Sequence, residues 1–176
     1  MVVGADRIDP RWTAVDEAVA FWNQELARDG VEVRLNPVDR LFKSVPDDKI
    51  VKMSAAALDD QRETELPESM QHIPGSILVV LSRASFASFG IPWSRDHQGL
   101  VAVRRADDQP LSLPNVARNV IAHEIGHALG LGHNNDPGSL MCGRPAPCRP
   151  RMFVSVSNYV FPLTDSEREF LRQRTW

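Results

Sequence analysis

Residues 123–133 read His123-Glu124-Ile125-Gly126-His127-Ala128-Leu129-Gly130-Leu131-Gly132-His133. On an α-helix, positions four apart stack on one face, so His123 and His127 can aim at one point. His133 cannot join them on a continuous helix, because six further residues carry it about 240° round the axis. The chain must therefore break and turn back, and Gly130 stands where a left-handed helix cap would do this. A chance match to the pattern is on the order of 10⁻⁷ per start position. Incidental histidines on a helix are a poor account of it.

Three imidazoles suit a zinc ion and leave a fourth position for water, which is the donor set of a catalytic site. The expected ligands of one Zn(2+) ion are His123, His127 and His133. Glu124 follows the first of them directly and is expected to act as general base on a water of lowered pKa. A non-catalytic zinc site with the same ligands would leave Glu124 without a role.

Outward from the motif, the helix is predicted to open near Pro114-Asn115. Far upstream, Asp9-Pro10 reads as an N-cap with proline in the first turn. Trp12, Val15, Val19, Trp22 and Leu26 follow at steps of three and four, predicting a helix over 10–28 that stops at Gly30. Strands are expected at Val31–Leu35, which alternates apolar and charged residues, at Ile50–Met53, at Ser76–Ser82 and, nearer an edge, at Gly99–Arg104. Residues 83–98 read as a long loop, with Phe89 and Trp93 either packed or lining a cleft. The proline-rich 134–162 reads as irregular. Thr164-Asp165-Ser166-Glu167 is a capping box, so the chain is predicted to close with a short helix. One α+β domain over residues 1–176 is the expected organisation.

A net charge of −3 argues against a nucleic-acid or anionic-membrane footprint. Apolar runs such as Ile77–Leu81 are far too short to span a bilayer. Met1–Asp6 has no basic start before an apolar stretch, so no signal peptide is expected here. The two cysteines, Cys142 and Cys148, suit a local disulfide, with free thiols or a zinc-blocking Cys148 thiolate as alternatives. His72 and His97 lack local partners at ligand spacing and read as surface or loop residues, with a second metal site as the alternative. Arg104-Arg105 with Asp107-Asp108 reads as a solvated turn, and Gly126 as a site of close packing.

With Met141 eight residues beyond His133, and with Asp136 and Ser139-Leu140 before it, the motif resembles the metzincin clan of zinc endopeptidases, closest to the matrixin branch. The resemblance implies a mixed twisted sheet, a first amphipathic helix, a metal-binding helix and a C-terminal helix. It also implies that Met141 makes a tight turn beneath the zinc and that substrate lies antiparallel to an edge strand, for which Gly99–Val103 is the match. Cys142 stands where other branches carry a tyrosine ligand. The partner expected is a polypeptide substrate, met by a monomer in a secreted or periplasmic setting. A catalytically silent, protein-binding zinc module and a narrow processing peptidase are the alternatives.

Overall fold

The computed structural model describes residues 1–58, 66–143, 151 and 158–176. Its elements, in chain order, are β1 (Val2–Gly4), α1 (Arg11–Arg28), β2 (Arg40–Phe42), α2 (Asp47–Leu58), α3 (Glu68–Gln71), β3 (Ile77–Leu81), β4 (Phe89–Ile91), β5 (Gly99–Val103), α4 (Pro114–Ala128) and α5 (Asp165–Gln173). The strands form one sheet in the order β2-β1-β3-β5-β4, parallel throughout except for β4, which runs antiparallel to β5. This is the mixed sheet expected, with the first, metal and C-terminal helices where the sequence puts them.

The unbroken apolar run of β3 follows from its place in the middle of the sheet, covered on both faces. Val79 and Leu81 pack on one side with Trp22, Leu26, Ile121 and Ile125 from α1 and α4. Leu78 and Val80 pack on the other with Ile50, Met53 and Met70. Asp9 accepts the backbone N–H of Arg11 at 2.9 Å, so it caps α1 with Pro10 already in helical conformation. The capping box of α5 is complete: Thr164 accepts from Glu167 N, and Glu167 accepts from Thr164 N.

Three expectations give way. Val31–Leu35 is not a strand, because Asn23 on α1 binds both the N–H and the carbonyl of Leu35 and holds the segment along the helix. Ile50–Met53 lies within α2: Asp47 and Asp48 favour a helix start there, and Ile50 and Met53, one turn apart, bury one face. Gly99–Val103 is buried along its whole length and is not the edge. The edge is β4, inside the stretch read as a loop, and three residues are too few to show a period in sequence. Phe89 belongs to the core on the face away from α4. Among the described residues, no helix is long and apolar enough to cross a membrane.

Candidate metal centre

Helix α4 carries His123 and His127 one turn apart and ends as the motif requires. Gly130 has φ +92°, and Leu131 N bonds to Gly126 O at 2.9 Å, reversing the chain. His133 swings back, and the three Nε2 atoms meet at 3.0 Å (His123–His127), 3.0 Å (His127–His133) and 3.2 Å (His123–His133). His123 Nδ1 faces Leu140 O at 2.7 Å and His127 Nδ1 faces Leu131 O at 2.8 Å. A carbonyl only accepts, so in both rings Nδ1 carries the hydrogen and Nε2 presents a lone pair. Two lone pairs 3.0 Å apart cannot bond to each other. They suit a cation held between them.

The spacing also fits the ion: tetrahedral bonds of about 2.0 Å set nitrogen ligands roughly 3.3 Å apart. Two of the imidazoles are in the ligating state. Burial, reinforced by the neighbouring rings, pushes His123 down to about 3, and burial likewise pushes His127 down to about 4. Both are neutral near pH 7, as metal binding demands. His123 is buried, His127 half-buried and His133 exposed, so the cluster sits at the surface with one open flank.

Met141 is fully buried against the helix that carries His123 and His127. A Cβ on Gly126 would lie 2.6 Å from Met141 Sδ and 3.1 Å from Trp22 Cζ2, so the glycine seats the methionine against α4. Leu140, the residue before it, supplies the carbonyl that orients His123. Gly126→Ala is therefore expected to destabilise the domain by about 1–3 kcal/mol, although alanine is the better helix former. Thermal or urea unfolding measures it; equal or greater stability would show that Met141 can move aside.

The segment bearing His133 is tied down by a polar network that the sequence did not reveal. Asn134 N bonds to Met141 O at 2.9 Å and Gly143 N to Asn134 O at 3.3 Å. The Asn134 side chain donates to Ser139 Oγ at 2.7 Å and to the buried carboxylate of Glu167 on α5. Glu167→Ala would remove the acceptor of one Asn134 side-chain N–H and of the Thr164 backbone N–H, at about 1–3 kcal/mol. Metal affinity is expected to fall by about tenfold or more, as for other outer partners of a ligand. Chelator competition reads this, and unchanged affinity would show that α5 does not position His133.

Two further arrangements bear on the cleft. A Cβ on Gly90 would meet the Glu124 carbonyl oxygen at 2.2 Å and His127 Cβ at 2.7 Å, so only glycine lets the edge strand lie directly on α4. Arg104 departs from the solvated turn expected of it: Arg105 and Asp107 pair in solvent, whereas Arg104 lines a recess with Glu124. His72 and His97 are not brought together with the cluster, and His97 bonds to Ser94 and the Pro92 carbonyl. Cys142 is buried and disulfide-bonded; Cys148, the other half of the sequence expectation, lies outside the described residues.

The sequence model of the matrixin family matches residues 12–153, well beyond the motif itself. Neutrophil collagenase of Homo sapiens is 48% identical over 46 residues, which are 26% of this chain and 9% of that protein, so the chain spans a small part of that relative's length. Archaemetzincin from Methanopyrus kandleri shares the fold at a TM-score of 0.51 and 18% identity, over 98% of this chain and 92% of that one.

Proposed function

The chain belongs to the matrixin family, and from this premise we propose that it is a zinc-dependent endopeptidase that cuts extended polypeptide. His123, His127 and His133 would hold one zinc ion, and Glu124 would move the proton. The observation that carries the reading is the meeting of three imidazole nitrogens within 3.0–3.2 Å, with Glu124, next in the chain to His123, buried. A zinc ion there supplies a Lewis acid and lowers the pKa of water toward neutrality.

The remaining work falls to the chain's own side chains. Burial alone pushes the Glu124 carboxyl up to about 8. A neighbouring cation acts the other way, bringing the carboxyl back toward the range in which it accepts a proton at neutral pH. Glu124 then takes the proton of the attacking water and hands it to the leaving amine. The edge strand β4 lies against α4 at Glu124 and His127 and has one unpaired side in the sheet. A substrate backbone added there as a further strand would pass beside the metal ligands. The Cys142 disulfide supports an oxidising setting, hence a secreted or periplasmic enzyme.

Digestion of a proteome-derived peptide mixture tests the proposal. Internal cuts are expected, lost on chelation and restored by zinc. Trimming of terminal residues only would overturn the endopeptidase reading. Absence of any cut by zinc-loaded protein would leave a silent binding module.

A further inference from the structure

The recess that Glu124 shares has a volume of about 450 Å³. Val116, Val120 and Glu124 line it from α4, each four residues from the next and therefore stacked along one stripe of the helix. Eight residues of helix span about 12 Å, so the recess runs from the proposed base toward the start of α4. Ala87 and Leu111 add apolar wall, and Ser88 and Arg104 add polar atoms. The lining is thus largely aliphatic, with one full positive charge.

That charge is held in place. The Arg104 backbone N–H donates to Ser88 Oγ at 3.2 Å, and its Nη2 donates to the Gln109 carbonyl, in the segment that leads into Leu111. Among the described residues, Arg104 makes no ion pair: the nearby carboxylates of Asp107 and Asp108 are engaged by Arg105 instead. A guanidinium at the wall of a largely aliphatic recess, with donors left over and no ion pair among the described residues even with Glu124 in the same lining, is complementary to an anion on an apolar stem.

We propose that Arg104 makes this recess a pocket for a glutamate side chain flanking the bond that is cut. The inference rests on the reading of Glu124 as the base, since that places the recess beside the scissile bond. Two methylenes of the substrate glutamate lie along Val116 and Val120, and its carboxylate reaches the guanidinium. A leucine in the same place fills the wall but leaves the arginine without an anion. A lysine there meets like charge. The preference therefore resides in one side chain that the peptide-bond chemistry does not use.

The test uses the zinc-loaded protein and a fluorogenic peptide library in which the residues on both sides of the scissile bond vary among Glu, Gln, Leu, Tyr and Lys. Glutamate is expected to exceed leucine and glutamine by about tenfold or more in kcat/KM at one of the two positions. Arg104→Leu should reverse the order in favour of leucine, while Arg104→Lys keeps glutamate first. Using both variants guards against a fold lost with the Gln109 hydrogen bond. Binding of the same peptides to Glu124→Ala, read by fluorescence polarisation, should show the same glutamate preference without cleavage. An unchanged order in Arg104→Leu, or leucine preferred by the parent protein, overturns the pocket while leaving the peptidase reading intact. Equal cleavage by the parent and by Glu124→Ala overturns the reading of Glu124 as the base, and the binding order then decides for or against the Arg104 pocket by itself.

Discussion

Replacing Glu124 by alanine is expected to cut turnover by about 10²–10⁴-fold while leaving fold and zinc content unchanged. Glu124 lies outside the group of three converging nitrogens, so its loss removes no metal donor. It is buried, with only 7% of its surface exposed, and burial is the one influence that raises its carboxyl. Deleting that carboxyl relieves an uncompensated polar group from a largely apolar wall, so thermal stability should hold or rise slightly. The measurement is kcat/KM on the best substrate of a peptide library, with metal analysis and melting on the same preparation. Activity within a few-fold of the parent would mean that another group activates the water. Full loss of zinc in the variant would instead make Glu124 part of the metal's support.

Substitution of His127 by alanine should have the other large effect, a fall from one zinc per chain to little or none, with turnover at background. His127 is the middle member of the cluster, with its Nε2 3.0 Å from each of the other two. It is also less buried than His123, so removing the ring should disturb the core less. Two imidazoles cannot close a three-donor site, and the binding free energy of such sites, on the order of 10 kcal/mol or more, depends on all donors together. Protein purified without added zinc, parent and variant side by side, gives the answer by elemental analysis. Equal zinc in the two would remove His127 from the ligand set. Circular dichroism separates loss of metal from loss of fold.

Elements with a strong period were legible in the order of residues alone. The stripe from Trp12 to Leu26, the uninterrupted run of β3 and the capping box at Thr164 each obey a local rule, and each forms as expected. The failures share a cause. Val31–Leu35 alternates like a strand, but the Asn23 side chain occupies the backbone groups a sheet would need. Ile50–Met53 is too short to distinguish a strand from one turn of helix, and burial against Met70 and Leu78 decided for the helix. Strand β4 has three residues, one of them a glycine, and it exists because β5 pairs with it and α4 packs against it.

The sequence by itself determined the geometry of the three-histidine cluster, because residues spaced as His123, His127 and His133 constrain their own arrangement. A helix must stop, a glycine must take positive φ, and three nitrogens must converge. Those are consequences of covalent geometry acting over eleven residues, and no distant part of the chain is needed to foresee them. Only the tertiary structure decided what surrounds that centre. Glu167 reaches Asn134 from α5, Gly90 brings β4 onto Glu124, and Arg104 turns out of a charged turn into the recess. Each of these joins residues far apart in the chain, through packing that no local period records.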